Sequence, residues 1–305
     1  MTEHRNEILV GVDGSPASDA AVAWAASEAR RRGTCLVIFH VEPPTYGRLK
    51  GFARRRRGRP IVRAARRIAR RAEAGVTVRT VAATGSVLGR LVEMSRHTGL
   101  IVVGRGVQRA APGAVGSMPR QLIAAAHCPV ITVPAGQVLD PESETGHIVV
   151  AVDNGYRREN QIAFAFEEAA RHGMPVEILH AEAGDTGPDW PDRLLQETAL
   201  ARDIRPWLRL SVNVLDAPLD QAVATTCESG DLLVLSQHHL HVVTSNLGSR
   251  IEGALQAAPC AVAVVREATV AHRPAFTRPV AGTKPSAGAA TALHPMTTQQ
   301  RREDA

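Results

Sequence analysis

Short apolar runs alternate with longer amphipathic or alanine-rich segments along the first half of the chain. The apolar runs are predicted as buried strands at 7–12, 35–41, 76–81, 100–103 and 130–133. The segments between them are predicted as helices at 17–32, from 60 to a stop at 75, at 86–96 and at 116–126. Strands that alternate with helices are typical of a parallel sheet with helices on both faces, so the predicted fold class is α/β, doubly wound.

The turn after the first predicted strand has a clear helix-start pattern. Asp13-Gly14 is followed by Ser15, a predicted N-cap, and by Pro16 at the first helical position. Gly33 marks the predicted end of this helix.

The pattern begins again after a segment rich in Gly, Pro, Asp, Glu and Ser. Asp153 follows a strand like the one before Asp13, 140 residues later, and Gly248-Ser249 follows Gly116-Ser117 by 132 residues. We therefore predict a tandem repeat, with a first domain at 1–135, a linker at 136–146, a second domain at 147–266 and a disordered tail at 267–305.

Composition narrows the class of protein. No apolar run approaches the roughly 18 residues of a membrane span, and the first residues lack the form of a signal peptide, so a cytoplasmic location is expected. The four cysteines are dispersed without C-x-x-C spacing, which favours buried reduced thiols over a zinc site or disulfides.

Positive charge is concentrated in one segment. Twelve Lys or Arg residues and one acid lie between Arg48 and Glu73, so this segment has a charge of +11 in a chain whose formal charge is +6. It is predicted to contain a basic amphipathic helix that binds nucleic acid, an anionic membrane or an acidic protein, or that is simply solvated. The absence of interleaved aromatic residues favours a solvated or partner-facing surface over nucleic-acid binding.

Glycines around the fourth predicted strand suggest a phosphate site. Gly104-Arg105-Gly106 follows the strand, and Gly116-Ser117-Met118 begins the next helix. Glycines let the backbone approach an anion, and a helix N-terminus favours negative charge. In isolation, this pattern fits a phosphate loop and a plain turn about equally.

Several features together resemble the universal stress protein family in its tandem-domain form. In both copies the first strand ends in Val-Asp, the second ends in His-Val-Glu or His-Ala-Glu, and a cysteine precedes the fifth; the glycine loop is complete only in the first copy. The resemblance covers residues 5–266 and implies two tandem five-stranded parallel sheets of order 3-2-1-4-5, an adenine-nucleotide alpha-hydrolase-like fold. It also implies ATP binding in the first copy, with or without a divalent metal ion. The residues implied in nucleotide binding are Asp13, Val41, Gly104, Arg105, Gly106, Gly116, Ser117 and Met118.

The glycine loop departs from the family pattern. The family usually has two residues between the first two glycines, whereas here Arg105 alone separates them, and Pro119 replaces a frequent Ser or Thr. We expect weakened nucleotide binding. Arg105 and Arg109 either compensate by binding phosphate or merely solvate the loop.

The second copy departs further, because Ser236 and a loop containing His238, His239 and His241 replace the first glycines. Side chains at these positions block a phosphate, so this copy is expected to be structural and to pack as a pseudo-dimer with the first, with a homodimer as a further arrangement. Exposed loop histidines are favoured over a metal site because no carboxylate or cysteine accompanies them.

Two hypotheses follow. The first is a stress-response protein that binds an adenine nucleotide in its first domain; the alternative is a nucleotide-independent interaction or signalling module with an unidentified protein partner, using the arginine-rich segment. No general base can be named, so an enzyme is not indicated beyond weak ATP hydrolysis.

Overall fold

The computed structural model describes residues 6–42, 51–106, 117–136, 146–152, 158–181, 190–237 and 249–266. The strands in these ranges are β1 (Ile8–Gly11), β2 (Leu36–Glu42), β3 (Val78–Thr84), β4 (Leu100–Arg105), β5 (Val130–Pro134), β6 (Ile148–Val152), β7 (Val176–Ala181), β8 (Leu210–Leu215), β9 (Leu232–Ser236) and β10 (Ala261–Val265). The helices are α1 (Pro16–Arg31), α2 (Gly51–Ala72), α3 (Val87–Met94), α4 (Ser117–Ala125), α5 (Glu159–His172), α6 (Trp190–Ile204), α7 (Leu219–Thr226) and α8 (Ser249–Ala257).

The strands form one sheet in the order β3-β2-β1-β4-β5-β10-β9-β6-β7-β8. Within β1–β5 and within β6–β10 all pairings are parallel, and each group has the predicted order 3-2-1-4-5. The two groups, called here the first and second halves, meet where β5 and β10 pair antiparallel, with Ile131 opposite Ala263. The two predicted five-stranded sheets are joined edge to edge, because the pairing of two apolar edge strands removes both of these exposed edges.

Helices cover both faces of the sheet and create two core layers. Successive strand residues point to opposite faces, so Ile8 and Val10 lie in one layer and Leu9 in the other. The first layer lies against α1, α2, α5 and α6, and the second against α3, α4, α7 and α8. Because parallel strands are buried on both faces, they appear in the sequence as continuous apolar runs.

The structure confirms the predicted start of α1. The Ser15 side chain accepts a hydrogen bond from the Ser18 backbone N–H at 3.2 Å, and Pro16 occupies the first turn. The chain leaves the helix at Gly33, whose φ of +61° is a left-handed conformation that glycine adopts without strain.

The predicted start of α2 at Pro60 is wrong, because the helix begins at Gly51 and Pro60 lies inside it. The earlier turns escaped prediction because the four arginines at 54–57 interrupt any apolar periodicity. Among the described residues, no helix is long and apolar enough to span a membrane.

A buried ionic network links α1 and α5 across the two halves. Glu28 and Glu168 are both 0% exposed, and Arg32 donates to both carboxylates, to Glu168 at 2.6 Å. His172 Nε2 donates to Glu28 at 2.8 Å. Glu168 and His172 follow Glu28 and Arg32 by 140 residues, so the network is pseudo-symmetric.

This network shifts the pKa values of its members. Burial opposes charge on Glu28, but the bond from His172 and the Arg32 guanidinium outweigh it and hold the pKa of Glu28 well below its ordinary 4.5. Burial likewise opposes charge on His172, but its bonds to Glu168 and Glu28 raise the pKa of His172 above 6.5. The network therefore favours an ionised Glu28 and a protonated His172.

Candidate functional site

The carboxyl ends of β1 and β4 lie side by side at the point where the chain direction across the sheet reverses. From β1 the chain continues to β2 on one side, and β4 pairs with β1 on the other. Ligands of open α/β sheets bind in the crevice outside such a switch point. The predicted residues Asp13, Gly104 and Gly106 all follow or end these two strands.

The turn after β1 holds an ionised carboxylate at this crevice. The exposed Asp13 accepts a hydrogen bond at its Oδ1 from the Ser15 N–H at 2.9 Å, and the Gly14 N–H donates to Ser18 Oγ at 3.2 Å. Partial burial opposes ionisation, but the hydrogen bonds from Ser15 and Ser18 outweigh it and lower the pKa of Asp13. Asp13 is therefore a negatively charged acceptor at neutral pH.

The backbone of Val41 faces the space beyond the end of β1. Phe39 O accepts a hydrogen bond from the Val12 N–H at 2.9 Å, so the odd-numbered residues of β2 direct their backbone groups towards β1. Glu42 O accepts from the Gly85 N–H at 3.0 Å, so the even-numbered residues face β3. Because this alternation has a period of two, Val41 faces the side on which β1 has already ended.

Gly104 brings β4 against the first turn of α1. A Cβ atom on Gly104 would lie 2.7 Å from the Ser18 backbone nitrogen and closer still to the Ala17 carbonyl group, so glycine is required for this packing. A Cβ on Gly106 would make an ordinary 3.8 Å contact with Ala17. The close approach places the glycines beside the Asp13 turn.

Helix α2 packs over the ends of β1 and β2. Ile61 is the nearest neighbour of Gly14, and Gly58 is so close to His40 and Glu42 that a Cβ would lie 2.7 Å from the imidazole. His40 Nδ1 is hydrogen-bonded to Val12 O at 2.8 Å, so this histidine is satisfied at the edge of the core.

The structure gives the Arg105 side chain a different role from the expected phosphate contact. Arg105 is 7% exposed, and its guanidinium donates to the carbonyl oxygens of Leu255, Ala258 at 2.7 Å and Cys260 at 2.9 Å. These carbonyls lie at and beyond the C-terminal end of α8, where helix carbonyls lack intrahelical donors and the dipole favours a cation. Burial lowers the pKa of Arg105 from its ordinary value.

The second half makes an equivalent contact with the first half. Gln237 lies 132 residues after Arg105, and its Nε2 donates to the carbonyls of Ile123 at 2.8 Å and Ala124 at 3.0 Å, in α4. Arg266 donates to Gln237 Oε1 at 2.8 Å. Each half thus supplies a donor to a helix of the other. The 132-residue offset of the repeat identifies Arg105 and Gln237 as equivalent positions from the sequence.

The remaining predicted residues are only partly described. α4 begins at Ser117, and Met118 in its first turn is half-buried. Gly116 and Arg109 lie outside the described residues, as do the three loop histidines of the second copy.

Residues 4–134 match the family model described as the universal stress protein family. The match places the first half of the chain in the universal stress protein family. Universal stress protein Rv2623 of Mycobacterium tuberculosis is 29% identical over 285 residues, covering 85% of this chain and 96% of that relative. Universal stress protein Rv1996 of the same organism is 33% identical over 210 residues, 60% of this chain and 65% of the relative.

Solved structures show the same fold across both halves. A universal stress protein from Archaeoglobus fulgidus superimposes with a TM-score of 0.66 at 17% identity and covers 86% of this chain and 96% of its own. At that identity the similarity establishes the shared α/β architecture.

In the described part of the chain, one group has the spacing of metal ligands: Glu28, Glu168 and His172. It lies near the C-terminal ends of α1 and α5, whereas the Asp13 turn precedes the N-terminal end of α1. Arg32 donates to both carboxylates, so a guanidinium already balances their charge. The group therefore functions as an ionic link between the halves.

Proposed function

We propose that the first half of this chain binds one adenine nucleotide, with ATP as the expected ligand, at the carboxyl ends of β1 and β4. The observation that carries the proposal is the meeting of three features at the switch point. These are the ionised Asp13, the Val41 backbone that faces the open side of β2, and the Gly104–Gly106 segment held against α1.

Each feature has a chemical counterpart in the ligand. An ionised carboxylate accepts hydrogen bonds from ribose hydroxyls, as acidic residues do at related switch points. The Val41 N–H and C=O can pair with the acceptor and donor edge of adenine. Gly106, Gly116, Ser117 and Met118 would surround the phosphates at the start of α4, where free amides favour an anion.

The proposed site does not use the Arg105 guanidinium, which is bonded to the second half. In the second half, buried Ser236 and Gln237 stand where the first half has Gly104 and Arg105. We assign the second half a structural role, since Ser236 and His238 replace Gly104 and Gly106 with residues whose Cβ atoms restrict the approach of the backbone to a phosphate.

Isothermal titration of the full chain with ATP tests the proposal. We expect ATP to bind at one site per chain. Asp13→Asn should lower the ATP affinity about tenfold or more, because a charge-assisted hydrogen bond contributes about 1.5–3 kcal/mol. Asp153→Asn, the same change at the equivalent position of the second copy, is the matched control and should leave binding unchanged. Gly116→Val should also weaken binding by blocking the phosphate approach.

Three outcomes would contradict this assignment: no binding of ATP to the wild-type chain, two sites per chain, or equal losses in the Asp13 and Asp153 variants. The first would remove the nucleotide function, and the other two would remove the assignment to the first half.

A further inference from the structure

The outer surface of α2 is a dense array of exposed arginines. We call this surface the arginine face; its described members are Arg59, Arg63, Arg66, Arg67, Arg70 and Arg71. Arg59, Arg63, Arg66 and Arg70 are spaced i, i+4, i+7 and i+11, which places them in one row about 16 Å long. Ala65 and Ala69 on the opposite side are buried in the core.

The arginine face is not neutralised by the part of the chain that the structure describes. None of its six members forms an ion pair with any residue in the described ranges, whereas Arg79 and Arg90 on neighbouring elements pair with Glu7 and Glu93. Like charges at i and i+4 destabilise a helix. An external polyanion would relieve this repulsion, which makes the face suited to an anionic partner.

The composition of the face selects among anionic partners. A membrane-surface helix needs an apolar side to insert, but the apolar side of α2 is buried against the sheet. Protein interfaces combine arginine with exposed aromatic and apolar residues at their centre, and the exposed large hydrophobic residues in the described ranges, Leu195, Trp207 and Val214, all lie in the second half.

Nucleic acid remains, and the residues favour its duplex form. Single strands are bound largely by stacking on aromatic side chains, and residues 58–72 contain none. Guanidinium groups match phosphate in a bidentate geometry, and every cation in that range is arginine. We propose that the arginine face binds the phosphate backbone of double-stranded nucleic acid without reading its sequence, independently of nucleotide binding in the crevice.

Fluorescence anisotropy of a labelled 20-base-pair DNA duplex with the full chain tests this proposal between 50 and 200 mM salt. The test variant is Arg63→Gln, Arg66→Gln, Arg70→Gln, and the matched control is Arg90→Gln, Arg96→Gln, Arg209→Gln, which removes the same charge from three exposed arginines elsewhere. We expect the test variant to bind at least about tenfold more weakly, with a salt slope reduced by about two to three. The control should retain most of the affinity.

A second variant, Arg63→Lys, Arg66→Lys, Arg70→Lys, keeps the charge and should keep most of the duplex affinity. It therefore separates the effect of lost charge from the effect of misfolding. Equal loss in the test and control variants would overturn the proposal, as would tighter binding of a single strand than of the duplex. Binding to anionic vesicles without binding to the duplex would also overturn it and assign the face to a membrane surface.

Discussion

Arg105 provides the sharpest test of how the two halves are held together. Its guanidinium donates to three carbonyls of the second half, at Leu255, Ala258 and Cys260. Replacing Arg105 with Ala removes all three donors from a buried position and leaves the C-terminal end of α8 uncapped.

The expected loss follows from these contacts. A buried acceptor left without a donor costs about 1–3 kcal/mol, and three are affected. Part of this is recovered because the desolvation of the guanidinium, which lowers the pKa of Arg105, is relieved. We therefore expect Arg105→Ala to lower the free energy of unfolding by about 2–4 kcal/mol.

Urea unfolding followed by far-UV circular dichroism measures this loss as a shift of the midpoint at constant slope. Arg96→Ala, at an exposed position, is the control and should change stability by less than about 0.5 kcal/mol. Arg105→Gln introduces the residue that the second half uses, but the position equivalent to Arg266 is Pro134, which cannot support it. The free energy of unfolding of Arg105→Gln should lie between those of the wild type and Arg105→Ala. A loss for Arg105→Ala no larger than that of the control would refute the reasoning.

Three further predictions concern the ionic network between the two halves, the glycines at the end of β4 and the buried thiol of Cys128. The stabilisation contributed by His172 is complete below its unfolded pKa of about 6.5 and is lost as pH rises through its raised folded pKa. The urea midpoint of the wild type should therefore fall more than that of His172→Gln as the pH rises above about 6.5. Gly104→Ala should lower the free energy of unfolding by about 1–3 kcal/mol in urea melts because its Cβ would collide with the α1 backbone, whereas Gly106→Ala should be tolerated. Burial raises the pKa of Cys128 to about 12, so a thiol reagent at pH 8 should leave Cys128 unmodified in the native protein and modify it in urea; native labelling at the denatured rate would contradict this.

Local patterns predicted the sheet well because each depends on neighbours in the sequence. Ser15 and Pro16 specify the start of α1 through a cap and a fixed φ, and the apolar runs specify strands buried on both faces. The strand order was implied by the family resemblance, and the pairings confirm it in both halves. The helix boundary near Pro60 failed because the preceding turns carry charge without apolar periodicity.

Long-range contacts to backbone groups could not be predicted in the same way. An arginine between two glycines has the composition of a phosphate loop, and nothing local distinguishes it from one that donates to carbonyls 150 residues away. Backbone carbonyls are present at every residue, so the partners of Arg105 have no sequence signature. The repeat offset aligns Arg105 with Gln237 and Glu28 with Glu168, so it identifies equivalent positions in the two halves but not the groups that they contact.

The position of Arg105 also determines what the second half contributes to the proposed site. Arg105 ends β4 between Gly104 and Gly106, so the residue that separates the two crevice glycines is bonded to α8 and to the turn between α8 and β10. Gly104 is held from the other side by α1, which also carries the Asp13 turn. The end of β4 is therefore fixed between the first helix and the second half. In this geometry, the carbonyls of the second half hold the end of β4 in place beside the crevice. The second half can therefore contribute to the proposed site without binding a nucleotide of its own.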